Sequence, residues 1–219
     1  MRRMTQDSSQ DWQPDAESLM ALEAEIPVLQ AVREFADRAQ RGRWFAELGE
    51  VFNAETHQVA RAYLDALGFP DADAIAVMNW DDALDASESL DLNAEAWEVE
   101  EQLRAAVMDE VLGAVSEEGL GVVLAHMSAQ LAELLPDMID EALMMADELP
   151  DTIRDLAVGA AQQAAHGAAL ALAAAAITAQ NEGQEAGEEA LNHPLLLRYR
   201  LFEQGRWPLA LTGRTLNLF

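Results

Sequence analysis

The chain contains no cysteine and no lysine; all thirteen of its basic residues are arginine. Without cysteine there is no disulfide, no iron–sulfur ligation and no thiol nucleophile. Without lysine there is no Schiff-base amine and no P-loop lysine, which removes pyridoxal-phosphate enzymes and ordinary P-loop NTPases. Positive charge of any kind is scarce. Forty acidic residues face those thirteen arginines, and the formal net charge is -27. Such a field repels nucleic acid and anionic membrane, so neither is expected as a partner. The start, Met1-Arg2-Arg3-Met4 followed by polar residues, lacks the apolar run of a secretory signal. A cytoplasmic location is therefore expected by default.

What the chain has in abundance is alanine-rich helical patterning. From Leu156 to Asn181, 26 residues pass without a formal charge. Alanine is the best helix former, and a helix apolar nearly all round is normally buried. Leu156, Gln163, Leu170 and Ile177, spaced by seven, form a drifting stripe, with Gly159, His166 and Ala173 beside it. The segment is long enough to span a bilayer. However, Gln162, Gln163 and His166 sit mid-span, alanine is barely hydrophobic, and both flanks are acidic. A buried central helix is the better reading over a membrane span.

The expected fold is mainly α: a multi-helix globular bundle around that buried helix, with a short C-terminal β-hairpin. Residues 1–13 are expected to be a disordered tail. Residues 14–219 are expected to be one helical domain. Helical spacing is read near Pro14–Ile26, along Val28, Leu29, Val32, Phe35, Ala36 and Ala39, and again along Trp44, Phe45, Leu48, Val51 and Phe52. Asn53 is an N-cap candidate for a helix reaching Leu67, with Val59, Tyr63 and Ala66 inward and Gly68 closing it. The next helix is expected from Asp71 or Asp73, carrying Ile75 and Met78. Asp91-Leu92-Asn93 is a cap signal for a helix with Leu103, Val107, Val111 and Val115 inward. A turn is expected at Glu118-Gly119. Then follows the stripe Leu120, Leu124, Met127, Leu131, Leu134. Pro136 is expected to start another helix and Pro150-Asp151 to cap the central one, which frays over 181–190. After Pro194 the pattern alternates, and Gly213-Arg214 suits a type II′ turn for a hairpin over 206–219. Its Trp207, Leu209 and Leu211 are expected to face the helices.

Few constellations point to chemistry. Thirteen acidic residues lie between Asp81 and Glu118, against the single Arg104. A helical di-metal site favours Glu-x-x-His pairs, and none of the four histidines has a Glu three residues before it. Asp91-x-Asn93-x-Glu95 resembles an EF-hand opening but has Ala96 and Gln102 where glycine and glutamate are needed. No Gly-x-Ser-x-Gly elbow occurs. No motif implies a cofactor or a metal. A buried polar site is conceivable at Gln162, Gln163 and His166, against the plainer reading of a core histidine satisfied by a neighbour. Met127, Met138, Met144 and Met145 are read as gap-filling core.

The clearest asymmetry is in charge. From Pro194 to Phe219 four arginines face one acid, a balance of +3, while the remaining residues balance at -30. The basic segment either docks on the acidic body or presents a partner-binding surface of Arg198, Tyr199, Arg200, Arg206 and Trp207. The function expected is that of a non-enzymatic acidic helical interaction or regulatory protein, with a basic protein as partner. The alternative is a helical carboxylate/histidine enzyme, conceivably metal-dependent, using His57, His126 or His166. A membrane-associated protein ranks third.

Overall fold

The computed structural model describes residues 27–89, 94–144, 151–183 and 191–219. The tail at 1–13, the helix near Pro14–Ile26, the cap at Asp91–Asn93, Met145 and Pro150 therefore lie outside the described residues. Within them the chain is mainly α. The helices are α1 (Pro27–Ala39), α2 (Ala54–Ala66), α3 (Trp80–Glu88), α4 (Glu95–Ala114), α5 (Glu117–Leu143), α6 (Asp151–Glu182) and α7 (Pro194–Glu203). Three strands accompany them: β1 (Asp73–Ala76), β2 (Pro208–Thr212) and β3 (Thr215–Leu218).

The alanine-rich helix α6 packs against α1, α4, α5 and α7. Its middle is buried on nearly every side, from Ala164 and Ala165 through Ala168, Ala169 and Leu170 to Ala174. Small side chains permit this close approach. At Gly167 even a methyl group would meet the Leu195 side chain of α7 at 3.4 Å. The seven-residue stripe behaves differently at its two ends. Leu170 and Ile177 are buried, whereas Leu156 is half exposed. A straight helix drifts about 20° per heptad. The buried row in the first half is instead Ile153, Ala157 and Ala161.

A second buried helix went unread. In α7, Pro194–Tyr199, Leu201 and Phe202 are all buried, two aromatics and an arginine included. Tyr199 and Phe202 meet Phe35, Trp44 and Phe45 edge-on or tilted, with ring centroids 4.7–6.0 Å apart. That cluster explains why Trp44–Phe52 is not the expected helix. Residues 44–49 form turns, Phe45 has φ 61°, and Trp44 Nε1 donates to the Ala39 carbonyl at 2.7 Å. The apolar spacing is real, but it serves a turn wrapped on aromatics.

Three further boundaries differ from expectation. Asp73–Ala76 is a strand, not a helix start; it pairs in parallel with β3, a partner about 140 residues away that local spacing cannot reveal. Glu118-Gly119 is no turn, because α5 opens at Ser116, whose Oγ accepts from Gly119 N at 3.1 Å. Pro136 lies inside α5 rather than starting a helix. Proline removes one backbone bond and crowds the preceding turn, at about 3 kcal/mol. Leu131, Leu135 and Ile139 are buried on both sides of it. Each contributes about 1.5–3 kcal/mol, enough to carry the helix through.

Asn53 caps α2 as expected, accepting from Thr56 N at 2.8 Å. The helix closes with Phe69 N–H on Leu64 C=O and Gly68 N–H on Asp65 C=O, the paired bonds of a Schellman ending. Val59 and Tyr63 are buried but Ala66 is exposed, the inward face being completed by Leu64 and Leu67. The hairpin is present, antiparallel, with Thr212 opposite Thr215. Gly213 has φ 60° and Arg214 does not share that sign, which is the type II′ pattern. The sheet order is β1-β3-β2. A register shift between Pro208 and Ala210 turns the alternation. Trp207 is buried as expected, Leu209 and Leu211 are half-buried, and Pro208 and Ala210 go deeper. Met127 is core and Met138 half-buried, but Met144 is exposed. Among the described residues, no helix is long and apolar enough to cross a membrane.

Candidate functional site

The drift of α6 has a consequence for surface shape. Leu156, Gly159, Ala160 and Gln163 are spaced 0, 3, 4 and 7, hence on one helix face. That face leaves the core and forms one wall of a cavity of about 390 Å³. The facing wall comes from the first turns of α4, where Trp97 and Glu100 lie three apart and therefore side by side. Strand β2 supplies the third wall with Pro208, Leu209, Ala210 and Leu211. Tyr63 of α2 and Arg198 of α7 also line it, and Ser87 and Asp155 reach it from α3 and α6. A methyl group built on Gly159 would meet nothing within 4 Å, so at this point the helix borders open space.

A charged cluster sits against this cavity. Glu100 is 4 % exposed. One carboxylate oxygen accepts from the Tyr63 hydroxyl and the other from Arg198 Nη1. Arg104 Nη2 lies 3.5 Å from the second oxygen and also pairs with the exposed Glu101. Burying charge is tolerable only when it is paired and hydrogen-bonded, and this carboxylate has two hydrogen-bond donors and a further ion pair with Arg104. Arg198 keeps one donor, Nε, buried and without a partner among the described residues. Burial works against the Arg198 charge, but Glu100 first, then Tyr63, outweighs it and the guanidinium pKa rises. Burial and then the Glu100 charge push the Tyr63 phenol well above its usual range.

The other tyrosine follows the same logic: burial, then Glu203, pushes the Tyr199 phenol up as well. The chain has two tyrosines in all. For such groups, stability is complete below the unfolded pKa near 10 and is lost as pH rises toward the folded value. In an alkaline titration followed by tyrosinate absorbance, neither phenol should ionise in the native protein near pH 10. Both should appear together with the loss of helical circular dichroism. Ionisation of one phenol near pH 10 with helicity intact would contradict the buried cluster.

The surface expected from the basic segment is not formed. Arg198, Tyr199, Arg206 and Trp207 are buried, and Arg200 is half-buried. The reason is that the Arg198 and Arg206 guanidiniums find their acceptors inside, and the aromatic rings join the core. Arg206 donates to the carbonyls of Glu50 and Val51 at 2.7 and 3.0 Å, closing a stretch of non-helical backbone, and its guanidinium lies over the Phe52 ring. Trp207 exchanges backbone bonds with Phe219. Arg198 and Arg206 are thus turned inward, while Arg214 stays exposed at the hairpin turn beside Asp71.

Gln162, Gln163 and His166 are all half-buried. They do not converge on one point: Gln163 lines the cavity, whereas His166 Nε2 lies 2.5 Å from Ser128 Oγ on α5. The Ser128 hydroxyl also lies 2.8 Å from the Leu124 carbonyl, and the direction of its bond with Nε2 follows the imidazole tautomer. Burial lowers the His166 pKa, against a raising contribution from the Leu124 carbonyl. Among the described residues, no group of three or more His, Asp or Glu side chains gathers in a metal-holding arrangement.

Sequence spacing missed Tyr63, Trp97, Glu100 and Gly159 as neighbours. The available signal was weak: a lone tryptophan on an otherwise acidic helix, and a glycine that lowers helix propensity without an evident packing role. No family model, no curated protein and no solved structure matches this chain.

Proposed function

We propose that the chain is a non-enzymatic interaction protein that binds a basic protein partner, and that the cavity between α4, α6 and β2 receives an apolar side chain of it. The observation that supports this reading is the pairing of an open, tryptophan-walled cavity with an acidic frame. Helices α3 and α4 both end at the cavity. They carry Asp81, Asp82, Asp85 and Glu88, then Glu95, Glu98 and Glu101, all exposed. Against these stands Arg104, already held by Glu100 and Glu101. A partner bringing arginine or lysine relieves like-charge repulsion, and its apolar residue meets Trp97 and Trp207, residue types favoured at binding hot spots.

The experiment is selection of a displayed random-peptide library on the wild-type protein and, in parallel, on Gly159→Leu. An added Cβ at Gly159 meets nothing within 4 Å, so leucine there projects into the cavity and raises helix propensity, and the variant should melt no lower than the parent. Peptides enriched on the wild type should carry several basic residues around an apolar one, and should be lost on the variant. Equal enrichment on both proteins, or enrichment of acidic peptides, would refute the reading.

A further inference from the structure

The partner that suits this site has a definite backbone conformation. Successive side chains of a strand point to opposite faces. Yet Pro208, Leu209, Ala210 and Leu211, four consecutive residues, all line the same cavity. A strand presents consecutive residues to one place along its edge. In the sheet order β1-β3-β2, the β2 strand pairs only with β3 among the described strands, so it is an edge strand, with α3 packed close to it. Edges are usually blunted by charge, proline, a bulge or a covering element. The opposite edge strand, β1, follows this rule with Asp73, whose side chain is 92 % exposed. Pro208–Thr212 contains no charged residue at all. The register shift falls at its start, where Pro208 has no N–H to offer, and leaves Ala210–Thr212 in regular pairing.

We propose that this edge takes up an extended basic segment of a partner protein, which adds to β2 as a further strand and lowers an apolar side chain into the cavity beside Gly159. This rests on the reading of the cavity as a binding site and specifies how it binds. Strand addition draws affinity from main-chain hydrogen bonds and specificity from pockets for alternate side chains. Here the pocket is walled by Trp97, Gly159 and Gln163. Basic character follows from the frame, since α3 has no basic residue and its four carboxylates are exposed. Side chains on the other face of the added strand alternate with those that enter the cavity, and arginine there suits a site framed by exposed carboxylates. The fit is therefore to a sequence alternating basic and apolar residues.

The probe is an eight-residue peptide alternating arginine and leucine, blocked at both ends, with anisotropy as the readout. Two isomers carry backbone N-methyl groups, one on every leucine amide and one on every arginine amide. In a strand, alternate N–H groups point to opposite neighbours, so one isomer loses the bonds to β2 and the other keeps them. The unmodified peptide should bind the wild type, and Gly159→Leu should weaken it at least tenfold. One methylated isomer should be weakened at least tenfold and the other bind like the parent peptide. If both isomers bind like the parent, or both fail alike, strand addition is overturned while cavity binding stands. If the parent peptide binds Gly159→Leu as well as the wild type, the cavity reading itself fails. Absence of binding by the parent peptide also overturns the strand proposal, and the library selection then decides the cavity reading separately.

Discussion

Deleting residues 206–219 is expected to abolish the native fold rather than trim it. Trp207, Leu216, Leu218 and Phe219 are no more than 3 % exposed. Burying one such side chain contributes about 1.5–3 kcal/mol, so four contribute on the order of 6–12 kcal/mol, an upper bound because unfolded chains are not fully extended. A domain's whole stability is only about 5–15 kcal/mol. Polar losses add to this. Arg206 leaves the Glu50 and Val51 carbonyls without their donor. Strand β1 loses its strand partner β3, to whose stretch Asp73 N–H donates at Arg214 C=O and Val77 N–H at Leu218 C=O. Trp80 loses the Phe219 ring, which it meets edge-on at 4.7 Å. The truncated chain should show no cooperative thermal transition and should self-associate, since a large uncovered apolar patch is a recognised liability. Circular dichroism melting and sedimentation velocity read both effects. A truncated body that stays monomeric and melts as the full chain does would show the hairpin to be a dispensable arm. Native trypsin digestion gives an independent view: Arg198 and Arg206 are buried and should resist cleavage until the chain unfolds.

The hairpin was legible because its signals are local: alternation, and a glycine at the first turn position. The same holds for the Asn53 cap and for α6, where 26 uncharged residues leave little choice but burial. What escaped depends on contacts distant in sequence. Helix α7 carries Arg198 and Arg200, and charged residues argue for a surface helix until a buried Glu100 arrives from 98 positions away. Strand β1 has only four residues, Asp73–Ala76, and is a strand because β3 exists. At Trp44 and Pro136 local rules pointed one way and packing the other: aromatic partners held a turn together, and a buried leucine–isoleucine row carried a helix through proline. The cavity was the least legible feature. Its residues come from five helices and the hairpin strands, and its most informative member, Gly159, is informative through the space beside it. Leu156 gave a misleading signal for the same reason, since a leucine on the drifting stripe reads as core until the void beneath it is seen.

The adjacent pair Glu100 and Glu101 shows how sharply that spatial information changes an expected effect. Both are helical glutamates of the same acidic run. The Glu100 side chain is 6 % exposed and that of Glu101 is 47 %. Glu101→Gln should change stability by no more than about 0.5 kcal/mol, as at most solvated positions. Glu100→Gln keeps the shape and can still accept from Tyr63, but it removes the one buried charge that balances Arg198. Breaking a buried pair from one side costs about 3–5 kcal/mol, because the remaining charge stays buried and uncompensated. Chemical denaturation should show the midpoint falling at unchanged slope for Glu100→Gln and hardly moving for Glu101→Gln. The decisive variant is the double one. Replacing both partners, with Glu100→Gln and Arg198→Met together, leaves no orphaned charge, and exchange of a buried pair for apolar volume is often close to neutral. The double variant should therefore be more stable than Glu100→Gln alone, so that the two single losses sum to more than the loss in the double variant. Were the two losses to add, or were Glu100→Gln as stable as its parent, Glu100 and Arg198 would not form the buried pair against which the cavity is built.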